Sequence, residues 1–162
     1  MQLHTRRMFA VTTLAVGLVV ALAGSALAQS DLGLGTWKLN VAKSKYDPGP
    51  APSSETRVYV LWEKDGVKAT FTRVEGGKTL TLGYAAHYDA KDYKYTGAAA
   101  YDTITLTRVD ASTTEASLKK GGKVVQTTKT VISKDGKTRT QTVKGIDASG
   151  KAVNNLSVFE KQ

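Results

Sequence analysis

The sequence predicts an all-β fold, an antiparallel meander of about eight to ten strands closed into a barrel, with a two-sheet β-sandwich as the alternative. Three observations carry that expectation. Short runs rich in threonine, valine and tyrosine follow one another from Gly35 to the end of the chain, the composition that suits pleated, half-buried surfaces. Between the runs stand Asp65-Gly66, Gly76-Gly77, Gly121-Gly122, Asp135-Gly136 and Ser149-Gly150, pairs that accept the positive φ angles of tight hairpins. After residue 28, no window of helical length carries an apolar period of 3.6 residues.

The chain opens on a different pattern. Arg6 and Arg7 precede a mostly apolar stretch from Met8 to Leu22, and Ala26-Leu27-Ala28 forms a small-x-small cleavage site. These are the parts of a signal peptide over residues 1–28, and Thr5-Arg6-Arg7-Met8-Phe9 resembles a twin-arginine export motif. The apolar stretch, about 15 residues, is short for the ~30 Å of hydrocarbon that an anchor must cross. A single β-barrel domain is therefore expected over residues 29–162, periplasmic or secreted, with no stable membrane insertion after cleavage. The chain contains no cysteine, so packing and hydrogen bonds must hold the domain without disulfides.

The elements follow in order. A first strand is expected at Thr36–Asn40. It precedes Tyr46-Asp47-Pro48-Gly49-Pro50-Ala51-Pro52, which holds all three prolines and reads as a stiff loop crossing one barrel end. The second strand, Glu55–Lys64, places Val58, Val60 and Trp62 on one face and Arg57, Tyr59 and Leu61 on the other; the first of these reads as the inward face. The third, Val67–Val74, sets Val67, Ala69 and Phe71 against Lys68, Thr70 and Thr72. The fourth, Thr79–Tyr88, sets Leu80, Leu82, Tyr84 and Ala86 against Thr79, Thr81 and Gly83. A fifth, Tyr93–Thr96, lies in the tyrosine- and alanine-rich segment Asp89–Asp102, which reads either as an irregular bulged strand or as a mouth loop bearing aromatics. The sixth, Thr103–Val109, turns Ile104 and Leu106 inward, and Glu115–Lys119, Lys123–Ser133, Thr138–Lys144 and Ala152–Glu160 complete the meander. Such alternation describes a sheet wet on one side. Closure removes the two long edges that an open sheet of this size would expose.

Composition narrows the function classes. The formal charge of +9 falls to +7 once Arg6 and Arg7 leave with the leader. The remaining lysines are scattered beside turns rather than gathered in the aromatic-laced patch of a nucleic-acid site. No nucleic-acid partner is expected, only a weak attraction to anionic envelope surfaces. Neither clustered histidines nor clustered carboxylates point to a metal, and no cofactor motif is present: Gly33-Leu34-Gly35 lacks a third glycine and a following helix. His87 is the only histidine after the leader. A hydrolase using His87 is the enzymatic alternative to a non-enzymatic reading, because a hydrolytic triad needs more than a lone histidine.

The two ends carry a resemblance. Gly35-Thr36-Trp37-Lys38-Leu39 resembles the Gly-x-Trp first strand of calycins, the group of lipocalins and fatty-acid-binding proteins, and Val158-Phe159-Glu160-Lys161 resembles the closing strand of the latter. The resemblance implies a calycin-like barrel in which Trp37 packs across the closed end beneath a cation, from Arg139 or Lys144. It also implies a small-molecule binder. The Arg-x-Tyr pair with which fatty-acid-binding proteins hold a carboxylate is replaced here by Ser157 and Phe159, and a haem-binding relative would need an inward histidine, whereas His87 is expected outside. Trp37, Trp62, Phe71, Tyr84 and Phe159 form the aromatic set of the interior. The expected function is thus an exported, monomeric, lipocalin-like module. Its small apolar, neutral ligand would be lined by Trp62, Phe71, Tyr84 and Leu106, with Ser157 giving one neutral hydrogen bond and Arg73 and Arg108 facing out. The alternative is a structural or interaction barrel of the cell envelope with a filled core and no ligand.

Overall fold

The computed structural model describes residues 31–162; the expected signal peptide and its cleavage site after Ala28 lie outside them. Among the described residues the chain forms ten strands: β1 (Gly35–Leu39), β2 (Ser54–Trp62), β3 (Gly66–Glu75), β4 (Lys78–Ala86), β5 (Tyr93–Thr96), β6 (Thr103–Arg108), β7 (Thr113–Lys120), β8 (Lys123–Ile132), β9 (Thr138–Ile146) and β10 (Ala152–Lys161). A single 3-10 turn, Val41–Lys43, follows β1. Every strand pairs antiparallel with its neighbours in sequence, and β1 closes the barrel against β10. At the closure Trp37 stands opposite Arg57 of β2 on one side and Lys161 of β10 on the other. The fold is thus the all-β, closed antiparallel meander that the sequence predicted.

Hairpin chemistry explains the tight meander. Gly76-Gly77 and Gly121-Gly122 both take positive φ at each glycine, between +55° and +78°, as two-residue hairpins demand. The β2–β3 connection departs from the expected Asp65-Gly66 turn: its left-handed residue is Glu63, at φ +54°. Gly66 instead opens β3, where a Cβ would collide with the Trp62 ring and the Ala86 carbonyl.

Backbone register stacks the inward side chains of β2 to β5 in layers. Across β2, β3 and β4 these are Glu55–Arg73–Leu80 at the mouth, then Arg57–Phe71–Leu82, then Tyr59–Ala69–Tyr84. Tyr95 of β5 extends the last layer beside Tyr84. On β3, β4 and β6 the inward residues are those that alternation indicated. On β2 the expectation is overturned: Glu55, Arg57 and Tyr59 are buried inside, whereas Val58 and Val60 face solvent. The reason is the register with β3. Arg57 and Tyr59 lie opposite Phe71 and Ala69, so the side of β2 that meets the apolar face of β3 is the one carrying the charges.

The closed end is built around Trp37, which is fully buried. Its indole Nε1 donates to the Gly33 carbonyl at 3.0 Å, satisfying the one polar atom that burial would otherwise strand. Two cations flank the ring, with Arg139 6.0 Å and Lys161 Nζ 5.2 Å from its centroid. Lys144, the other expected source of the cation, is exposed. Replacing Trp37 by alanine removes a large buried side chain, and equilibrium urea unfolding is expected to show a loss of about 3–5 kcal/mol. A loss below about 1 kcal/mol would mean that the indole is not a packed element of the barrel.

Candidate ligand-binding cavity

The barrel interior is not filled. A cavity of about 470 Å³ runs from the mouth into the lumen, within the range of small-molecule sites. Its entrance is framed by the proline-rich segment (Tyr46, Pro48, Pro50), the Gly97–Tyr101 loop and the Asp147-Ala148 end of the β9–β10 hairpin. Both segments that broke the sequence pattern therefore meet at one end. Gly97 lets its loop press against β4: at φ +83° it sits where a Cβ would run into the Thr81 carbonyl. Tyr46 is pinned over the opening by the Ser157 hydroxyl, which donates to the Tyr46 phenol oxygen at 2.9 Å.

Two chemically different walls face one another. The wall from β3, β4, β5 and β6 presents Phe71, Leu82, Tyr84, Tyr95, Ile104 and Leu106. Its rings interlock, with Phe71 and Tyr84 edge-on at 5.9 Å and Tyr84 and Tyr95 tilted at 5.6 Å. The wall from β7 to β10 is mixed, with Thr114, Thr128, Thr130, Gln141, Asn155 and Ser157 standing among the apolar Ala116, Leu118, Val143 and Val153. Burial raises the Tyr84 and Tyr95 phenols well above their ordinary values, so both remain neutral hydrogen-bonding groups at physiological pH.

Charges occupy the seam between the walls. Glu55 is fully buried and bridges two guanidiniums: its Oε1 accepts from Arg57 Nε at 2.6 Å and its Oε2 from Arg73 Nε at 2.9 Å. Arg57 also donates from Nη1 to Gln141 Oε1 at 2.8 Å, and its guanidinium lies over the rings of Phe159 at 4.1 Å and Phe71 at 4.9 Å. Burial alone would push the Glu55 carboxyl up, but the two adjacent guanidiniums outweigh it and hold the group below its ordinary value. Deeper in, Arg139 stacks 4.0 Å from the Tyr59 ring centroid and also lines the cavity.

These positions revise the expected site. Phe71, Tyr84, Leu106 and Ser157 do line the cavity. Trp62 does not: it shares the outer face of β2 with Val58 and Val60 and packs beside His87 at 4.8 Å and edge-on to Tyr93 at 6.4 Å. The lining is also not neutral, because Arg57, Arg73 and Arg139 reach it. Arg73, expected outside, follows from the same parity as Phe71 on β3. Arg108 stays mostly at the surface, paired with Asp31 at 2.6 Å. Sequence reasoning missed Glu55 and Arg57, although their i, i+2 spacing with opposite charge was the available signal.

His87 lies outside the lumen, between the Glu63 and Asp65 carboxylates at 2.9 and 2.7 Å. Hydrogen bonding to Glu63 leads the effects that raise its pKa. Among the described residues no group of three or more histidine, cysteine or carboxylate side chains is arranged to hold a metal ion. A second hollow of about 530 Å³ lies mostly among outward residues of β6 to β9, but none of its lining residues is buried.

No protein-family model matches the chain, and no curated protein matches it. Among solved structures, the M. tuberculosis protein Rv2717c is similar in fold at 15% identity, covering 88% of this chain and 99% of its own, with a TM-score of 0.53. Zebrafish ileal bile acid-binding protein, crystallised with cholic acid, shows 14% identity over 81% of this chain and 99% of its own, with a TM-score of 0.47. The first likeness speaks for the fold alone, and the second is too loose a superposition to add to it.

The Glu55 network sets a pH dependence. A carboxyl held below its unfolded value contributes stability that is fully present above that unfolded value and lost as pH falls through the folded one. Glu55→Gln leaves Arg57 buried without its counter-charge, at a cost of about 3–5 kcal/mol. Urea unfolding of both proteins from pH 7 downward should show this gap narrowing as Glu55 itself takes up a proton. A gap that is constant with pH would place the cost elsewhere than in the ion pairs.

Proposed function

We propose that this chain is an exported binding module that holds a small amphipathic molecule inside its barrel, and that it is not an enzyme. The carrying observation is the open lumen of about 470 Å³, aromatic and aliphatic along β3–β6 and mixed along β7–β10, where threonine, glutamine, asparagine and serine side chains stand among Leu118, Val143 and Val153. A filled, purely structural barrel has no need to leave such a space, since packed interiors rarely contain voids much larger than a water molecule. Those polar side chains also revise the expected ligand. A purely apolar guest would leave those hydroxyls and amides facing it unpaired, which is unfavourable, so the ligand needs an apolar body with hydrogen-bonding groups along one edge. The export component of the proposal rests on the arginines, apolar stretch and Ala26-Leu27-Ala28 site of the leader.

The reading is tested with a neutral solvatochromic dye such as Nile red, titrated into the wild type and into an Ala116→Trp variant. Ala116 sits on the inward face of β7 between Leu106 and Thr128 and lines the cavity. An indole there would grow into open space rather than into packed atoms. Dye binding to the wild type, weakened about tenfold or more in the folded variant, is the expected result. A wild type that binds no dye, or equal binding by the two proteins, would favour the structural barrel.

A further inference from the structure

His87 follows directly on β4 and stands against the β2–β3 turn with a carboxylate at each ring nitrogen. Its Nδ1 lies 2.7 Å from Asp65 Oδ1, and its Nε2 lies 2.9 Å from Glu63 Oε2. An ionised carboxylate only accepts hydrogen bonds, whereas a neutral imidazole has one donor and one acceptor. Both contacts are therefore hydrogen bonds only when the ring carries a proton on each nitrogen. A neutral ring must turn a lone pair toward one of the two carboxylates. The other charged and titratable groups nearby are engaged elsewhere or point to solvent. In the β4–β5 connection Asp89 takes Lys91 at 3.2 Å and the Tyr93 hydroxyl at 3.0 Å, and Asp92 takes Lys119 at 2.6 Å. Lys64 of the turn and Lys68 of β3 are exposed.

The turn that this ring holds has a backbone its residues do not favour. Glu63 takes φ +54°, in the left-handed region that disfavours any residue with a side chain. Beside it, the Trp62 indole packs against the His87 ring at 4.8 Å, a contact that a charged imidazole strengthens. We propose that His87 is a proton-operated clasp: its doubly protonated ring fastens the end of β4 to the β2–β3 turn, and loss of one proton frees Glu63 and lets the turn and Trp62 move. The clasp lies outside the lumen, so the proposal stands apart from the binding reading. All three side chains reach solvent, so the ring exchanges protons directly with the medium. The hydrogen bond to Glu63 leads the effects that raise the His87 pKa, which puts the release above the ordinary histidine value of about 6.5. With the folded-state value raised, the stability that the clasp contributes is fully present below the unfolded value and is lost as pH rises through the folded one.

The experiment titrates the full chain from acid to alkaline pH with two readouts. One is proton NMR of the His87 ring, told apart from His4 by its loss in His87→Gln. The other is the emission maximum of Trp62, isolated from that of Trp37 by comparison with Trp62→Phe. The His87 midpoint should lie above about 6.5, and Glu63→Gln and Asp65→Asn should each lower it. The Trp62 maximum should shift with the same midpoint in the wild type and stay constant in His87→Gln. Glu63→Gly accepts the left-handed backbone without supplying a carboxylate, so in that variant His87 should still titrate while the Trp62 maximum no longer follows. A midpoint at or below about 6.5, or one that neither carboxylate substitution moves, would overturn the proposal. So would a Trp62 maximum that stays constant through the wild-type titration, or one that still shifts in His87→Gln. A shift that Glu63→Gly leaves intact would show the proton acting on the indole alone, and would overturn the release of the turn even if His87→Gln failed to fold.

Discussion

A carboxylate with no exposed surface, held between two guanidiniums, is the constraint on which the interior depends. Glu55 binds Arg57 two residues along its own strand and Arg73 on the next, and Arg57 carries the connection across the lumen to Gln141 of β9 and the Phe159 ring of β10. Side chains from four strands are thereby held in one network. Burying ions is expensive, and such a network contributes little net stability compared with apolar packing. What it does is tie β2 and β3 to β9 over the β1–β10 closure, fixing the charged side chains that line one side of the lumen.

The same constraint explains what the sequence disclosed and what it concealed. Ten short runs of β-favouring residues with glycine-rich turns were enough to read the meander, and closure follows from strand number and edge chemistry. Alternation read the inward faces of β3, β4 and β6 because their two faces differ in hydrophobicity. On β2 both faces carry apolar residues, and Val58, Val60 and Trp62 look more like a lining than Arg57 and Tyr59 do. Only pairing across the sheet decides, and a period of two turns one wrong parity into a whole wrong face. Trp62 and the supposed neutrality of the lining were lost together for that reason. Arg139 illustrates a different limit: the end motifs left Arg139 and Lys144 as sources of the cation near Trp37, and the choice of Arg139 is a property of three-dimensional arrangement.

The division of the lumen into two walls follows from strand order. Strands β3 to β6 bring the aromatic and aliphatic faces side by side, and β7 to β10 add most of the threonine and amide side chains together with Leu118, Val143 and Val153, so the polarity of the lining rises around the barrel. The two irregular segments, proline-rich and alanine-rich, end at the mouth above both walls. Their plain sequence character fits that place: few large side chains stand in the entrance, and of its two tyrosines Tyr46 is tethered to Ser157 and Tyr101 packs edge-on to Tyr95 at 4.8 Å.

The central claim is that a buried, paired charge network organises an open lumen, and the most direct measurement is nitrogen-15 NMR of the arginine side chains. With Glu55 paired as described, the Nε–H signals of Arg57 and Arg73 should be protected from solvent exchange at neutral pH, and both should shift in one step as acid protonates Glu55. Exchange of the Arg57 Nε–H as fast as that of an exposed arginine, or titration of Arg57 and Arg73 in unrelated steps, would contradict the account.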